Sequence, residues 1–257
     1  MNSSTPPAGA SLRVEGLGLS IGGATILKDV DLDVAPGSLV GVIGPNGAGK
    51  TTLFNAVSGV VRPTAGRILL DDVDITGQSI AQRARAGLGR TFQTSSLFPR
   101  LTVLENVRLA AQAADGGSYS LLRFPRRTDA ATRRAAELLD TVGLGHRAEA
   151  FAGDISHGDK RKLEIAVLLA TRSRLVLLDE PMAGVASGDV AGLVDNIRAL
   201  QRDSGCTVLM VEHHIEVLMG LVDLVAVMYF GTIIALDTPQ NIMENPTVQS
   251  AYLGSAA

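Results

Sequence analysis

The eight residues Gly44-Pro45-Asn46-Gly47-Ala48-Gly49-Lys50-Thr51 fit the pattern GxxxxGK[ST]. The apolar run Ser38 to Ile43 precedes them, and Thr52-Leu53-Phe54-Asn55-Ala56-Val57 follows with the composition of a helix. Strand, loop and helix therefore arrive in the order that a phosphate-binding loop requires. Glycines let the backbone curl so that successive N–H groups face phosphate oxygens, and the helix N-terminus adds positive potential. Gly44 to Thr52 are expected to hold the phosphates of a nucleoside triphosphate. Lys50 would supply a point charge for the β and γ phosphates, and Thr51 a hydroxyl for Mg²⁺. The competing reading is a glycine-rich turn with a chance lysine.

A second constellation is Leu175-Val176-Leu177-Leu178-Asp179-Glu180, an apolar strand ending in two adjacent carboxylates, with Pro181 enforcing a sharp exit. In a nucleotide site the two acids divide the work: Asp179 would hold Mg²⁺ through water, and Glu180 would orient or deprotonate the attacking water. Without a ligand they are a solvated strand end. A third is Ile155-Ser156-His157-Gly158-Asp159, where Ser156 and Asp159 have the spacing of a capping box. Free N–H groups at such a helix start attract a phosphate. The plain alternative is a cap with no ligand.

The elements that must position these groups are legible as patterns. Ser38 to Ile43, Leu175 to Leu178, Thr207 to Val211 and Leu224 to Met228 are apolar runs without polar alternation, as in strands covered on both faces of an α/β layer. Leu12-Arg13-Val14 and Val30-Asp31-Leu32-Asp33-Val34 alternate instead, like half-buried antiparallel strands, and Ile68-Leu69-Leu70 continues that region. Between about Val103 and Ala170 helical patterns take over, as in Ala130 to Val142, interrupted by the polar stretch Asp115 to Thr128 with Arg123, Arg126 and Arg127. That stretch predicts a surface loop, either solvated or facing an acidic partner or lipid headgroups.

Composition bounds the rest. The chain has 257 residues with 23 basic against 26 acidic side chains, a balance that gives no sign of a nucleic-acid partner. Its single cysteine, Cys206, precedes a buried strand and cannot form an internal disulfide, which suits a reducing compartment. Met1 to Gly9 lack the basic and apolar regions of a signal peptide and are expected to form a disordered lead of about ten residues. From Val217 to Leu236 the only charged residue is Asp223, long enough for a membrane span. Asp223 would cost about 2.5–3.5 kcal/mol at the bilayer centre, and Gly231 breaks the run, so helix, strand, turn and strand buried in a core is the expectation.

Taken together, the motifs resemble the ATP-binding subunit of an ABC transporter from Leu12 to Gly254. The resemblance implies a P-loop NTPase (RecA-like) core with an N-terminal antiparallel β subdomain and an inserted α-helical signalling subdomain. The expected division is a core over 11–93 and 171–254 and a helical part over 94–170. Ile155 to Asp159 are similar to the family's signature LSGGQ, which implies that Ser156 and Gly158 close the site of a second, identical or paralogous ATPase subunit. His157 and Asp159 replace the usual glycine and glutamine, and Asp159 is expected to cap the helix. Gln93, in Arg90-Thr91-Phe92-Gln93, matches the family's glutamine that contacts Mg²⁺ and the water. His213, after Thr207 to Val211 and Glu212, matches its switch histidine, with His214 pointing elsewhere. Ile21 stands where an aromatic usually stacks on adenine, and Ala186 where an Asp or Asn is common.

The C-terminal stretch Glu244 to Gly254, with the signature and Arg90 to Gln93, resembles the ATPases of branched-chain amino-acid and urea or amide importers. That likeness implies ATP and Mg²⁺ as ligands, integral-membrane permease subunits as partners, a periplasmic or extracellular binding protein as an indirect one, and a peripheral place on the cytoplasmic face of the inner membrane. Leu97-Phe98-Pro99 and Leu101 to Val107 look like the coupling region, with Phe98 a candidate permease contact. The alternative is a soluble, non-transport ABC ATPase serving assembly, repair or translation, which would usually add a coiled coil or a second cassette. A regulatory module without hydrolysis would lack the carboxylate that Glu180 provides.

Overall fold

The computed structural model describes residues 9–91, 96–114 and 129–253. In chain order its elements are β1 (Leu12–Ile21), β2 (Ala24–Val34), β3 (Leu39–Ile43), α1 (Lys50–Ser58), β4 (Ala65–Leu70), β5 (Val73–Asp74), α2 (Ile80–Arg85), β6 (Leu88–Arg90), α3 (Val103–Ala114), α4 (Ala130–Thr141), α5 (His157–Thr171), β7 (Leu175–Asp179), α6 (Ser187–Arg202), β8 (Thr207–Val211), α7 (Ile215–Met219), β9 (Leu224–Tyr229), β10 (Thr232–Asp237), α8 (Pro239–Glu244) and α9 (Pro246–Leu253). They fall into two units.

One unit takes its described residues from 7–90, 174–181 and 205–257. It contains an antiparallel sheet of order β2-β1-β4-β5 and a second sheet of order β10-β9-β3-β8-β7-β6. In the second sheet β9, β3, β8, β7 and β6 run parallel, and β10 returns antiparallel to β9. The continuous apolar runs account for this: β3, β7 and β8 are buried at every position, as strands covered on both faces must be. In β2 the alternation holds, with Val30, Leu32 and Val34 buried and Asp31 and Asp33 exposed. Helix α1 docks through Leu53 and Phe54, both 0% exposed, each stabilising the unit by about 1.5–3 kcal/mol.

The window from Val217 to Leu236 folds as α7, β9 and β10 with a turn at Gly231, whose φ is 79°. Asp223 there accepts the N–H of Leu39 at 2.8 Å, which fixes the start of β3, the strand that feeds the phosphate loop. Among the described residues no helix is long and apolar enough to cross a membrane.

The other unit takes its described residues from 91–173 and 182–204, and holds α3, α4, α5 and α6, the last joining through its packing on α5. Helix α3 starts in a complete capping box: Thr102 Oγ1 accepts the Glu105 N–H at 3.1 Å, and Glu105 Oε2 accepts the Thr102 N–H at 3.1 Å. The buried Asn106 pins the turn ahead of it, accepting the Phe98 N–H at 2.8 Å and donating to the carbonyls of Phe98 and Thr102. That turn leaves the Phe98 side chain 58% exposed.

Candidate nucleotide site

The loop after β3 has the backbone its glycines allow. A Cβ at Gly44 would strike the carbonyl oxygen of Met228 in β9, so only glycine lets the chain turn there. Gly47 and Gly49 take φ of 79° and 104°, outside the range of ordinary side chains. Among the described residues, neither of their N–H groups donates to a backbone carbonyl, which leaves them for another acceptor. The loop is braced by a turn that the motif does not announce: Gly231 N–H donates to Ala48 O at 3.0 Å, and Lys28 N–H to Gly231 O at 2.8 Å.

Lys50 opens α1 and is 7% exposed. Its Nζ donates to the carbonyls of Gly44 at 2.7 Å and Pro45 at 3.1 Å, so the ammonium is folded over the loop. Burial pulls its pKa below the ordinary lysine value, and the charges of Glu180 and Asp179 oppose that shift. The two acids therefore act on the same ammonium as the loop does. Thr51 is exposed and Thr52 half-buried at the same helix start.

Asp179 and Glu180 lie at the end of β7 with opposite exposures. Asp179 is 1% exposed. Its Oδ2 accepts from the Arg90 guanidinium at 3.0 Å, and Arg90 also donates to Asn55 Oδ1 at 2.8 Å and Ser58 Oγ at 2.6 Å on α1. The motifs gave no sign of this buried pair, since Arg90 and Asp179 stand 89 residues apart. Glu180 leaves the sheet with φ of 49°, a left-handed conformation for a non-glycine residue. Its N–H donates to Val211 O at 3.0 Å, the last residue of β8.

Because β7 and β8 are neighbours, Glu180 meets His213, with Oε1 and Nε2 at 2.8 Å. The His213 N–H donates to Glu212 Oε2 at 3.1 Å, and Glu212 is 3% exposed. A carboxylate beside an imidazole at this distance can hold a water and pass a proton. His214 stands at the N-cap position of α7, makes no side-chain cap bond and is exposed.

Of the other candidates, Ile21 ends β1 and is 57% exposed. Ser156 and Gly158 belong to the helical unit. Ser156 Oγ caps α5 by accepting the Asp159 N–H at 3.1 Å. The reciprocal half of that capping box does not form: the Asp159 carboxylate instead lies 3.9 Å from Lys162 Nζ. Aspartate is one methylene shorter than the glutamate that usually reaches back to an N-cap, so Asp159 aids the helix only as an acid in its first turn. Gly158 is buried, and a Cβ there would come within 3.0 Å of Asp189 Oδ2 on α6. Gln93 and the 115–128 stretch with Arg123, Arg126 and Arg127 lie outside the described residues.

Cys206 is 0% exposed ahead of β8, and burial pushes its thiol up to about 12. It is inert, as its place before a buried strand suggested.

Residues 27–183 match the family described as ABC transporter. The chain is 40% identical over 250 residues to the high-affinity branched-chain amino acid transport ATP-binding protein LivG of Escherichia coli (strain K12), covering 95% of this chain and 98% of that one. It is 39% identical over 251 residues to BraF, the corresponding protein of Pseudomonas aeruginosa, with the same coverage. Among solved structures, the ADP conformation of MJ1267, an ATP-binding cassette of an ABC transporter, superposes with a TM-score of 0.82 at 30% identity, covering 95% of this chain and 99% of that one. Match and site together place the chain: it belongs to the ABC transporter family, as its ATP-binding domain.

Proposed function

We propose that this chain is the ATP-hydrolysing subunit of an importer for branched-chain amino acids or a related small polar solute, working through a separate permease. The observation that carries the reading is Glu180 held 2.8 Å from His213 just past the ends of β7 and β8, where β8 pairs with the strand that feeds the phosphate loop. The likeness to LivG and BraF over nearly the whole chain supports the cargo class.

In this reading Gly44 to Thr52 bind the phosphates, with the Lys50 ammonium leaving the carbonyls of Gly44 and Pro45 for phosphate oxygens. The glycine backbone and its available N–H groups fit a phosphate. Thr51, Asp179 and Gln93 would hold Mg²⁺, whose charge would offset that building on the phosphate oxygens. Among the described residues no cluster of three or more acidic, His or Cys side chains could hold a metal ion alone, and phosphate oxygens would supply further ligands. Glu180 takes a proton from the attacking water or orients it, and His213 fixes the Glu180 carboxylate and hydrogen-bonds the γ-phosphate. Ile21 gives the adenine an apolar contact in place of a stacked ring.

Ser156 and Gly158 of a second ATPase subunit close each site, so ATP joins two subunits and hydrolysis lets them part. That motion passes to the permease through the exposed Phe98 at the cytoplasmic face of the membrane, while a solute-binding protein outside selects the cargo. Replacing Glu180 with Gln keeps size and hydrogen bonding but removes the base. Glu180→Gln is expected to bind ATP, accumulate an ATP-bound dimer on size-exclusion chromatography, and lose about 10²- to 10⁴-fold in turnover. Turnover equal to that of the unsubstituted chain refutes the assignment of Glu180.

A further inference from the structure

Asp179 is nearly devoid of solvent, yet it must keep one orientation if it is to serve a cation beside the phosphate loop. A buried carboxylate needs a compensating charge, and the Arg90 guanidinium supplies one at 3.0 Å.

The Arg90 side chain is 5% exposed and fixed at three points, with one guanidinium nitrogen on Asp179 and the other shared by Asn55 and Ser58 of α1. A planar fork held by two acceptors on α1 cannot follow Asp179 if the carboxylate rotates. Arg90 closes β6, which pairs with β7 in register Arg90 to Leu177, so its backbone is fixed as well. The guanidinium thus ties the helix that starts at Lys50 to the strand that ends at Asp179.

We propose that Arg90 is a positioning residue: it orients Asp179 for the divalent cation bound with the nucleotide and sets it relative to α1 through Asn55 and Ser58. This deepens the proposed function and rests on it. Groups that orient a metal ligand from behind typically alter metal affinity by about 10- to 100-fold.

The test is binding rather than turnover. Mn²⁺ is titrated by EPR into the full chain with a saturating non-hydrolysable ATP analogue, and analogue affinity is measured with Mg²⁺ and with EDTA. The variants are Arg90→Lys, which keeps the charge but not the fork, and Asn55→Ala/Ser58→Ala, which keeps the ion pair but frees the guanidinium. Both retain a partner for Asp179, so they remain informative if Arg90→Ala fails to fold. Arg90→Lys should raise the Mn²⁺ midpoint by about tenfold while leaving the EDTA affinity for the analogue within about twofold of the parent. Asn55→Ala/Ser58→Ala should shift the midpoint in the same direction by a smaller factor. An unchanged midpoint in either variant, or an equal loss with and without metal, overturns the role of Arg90. A parent chain whose analogue affinity ignores Mg²⁺ would instead overturn the proposed function itself.

Discussion

Glu180 offers a direct measure of strain stored at the site. Its φ of 49° is a left-handed conformation that costs a side-chain-bearing residue about 1–2 kcal/mol, tolerated because the Val211 carbonyl and His213 hold the residue from two sides. Replacing Glu180 with Ala and, separately, with Gly removes the carboxylate and its bond to His213 in both, so those losses cancel in the comparison. At an ordinary position Ala is the more stable of the two by about 0.5–1 kcal/mol, because Gly loses more backbone freedom on folding. Here the left-handed penalty exceeds that difference, and the order should invert, with Glu180→Gly more stable than Glu180→Ala by about 0.5–1 kcal/mol. For a chain of this size that is roughly 1–4 °C in melting temperature. Urea unfolding followed by circular dichroism resolves it, and hydrolysis should be lost in both. An Ala variant as stable as the Gly variant would refute the reasoning, because it would mean that position 180 carries no left-handed strain.

Two further outcomes follow from buried groups. Arg83 is 1% exposed and donates to the carbonyls of Ala56 at 2.7 Å, Val57 at 2.6 Å, Thr76 at 2.9 Å and Gln78 at 3.1 Å. It therefore closes the C-terminus of the helix that Lys50 opens, and Arg83→Ala should cost at least about 3 kcal/mol in urea unfolding, with Arg83→Lys recovering less than half. Cys206, with its thiol pushed up to about 12 by burial, should resist iodoacetamide at pH 8 and be alkylated only as fast as the chain unfolds. Labelling of the native chain at the rate of an unfolded control contradicts its placement.

Much of this protein is written in short stretches of sequence, because the physics there is local. The glycines of the loop, the apolar runs of β3, β7, β8 and β9 and the N-cap at Ser156 each depend on residues within a few positions, so their types and spacing announce them. The same locality explains a detail that the structure alters: the spacing of a capping box is visible at Ser156 and Asp159, but whether the shorter aspartate reaches back depends on side-chain length and on Lys162 competing for it.

The membership of α6 in the helical unit has no such local mark, since it depends on packing against α5, from which β7 separates it in sequence. The site divides the same way. Sequence alone determined which residues could carry the chemistry: Lys50, Asp179, Glu180 and His213 stand after a loop or strand whose composition marks it. Only the tertiary structure decided how they act together. The order β3-β8-β7-β6 brings His213 to Glu180 across 33 residues and Arg90 to Asp179 across 89. It also set Glu180 in a left-handed turn and put the Gly231 turn under the loop at Ala48. The physical reason is that a bond between distant residues repays the entropy of closing the chain between them only once the whole sheet has formed.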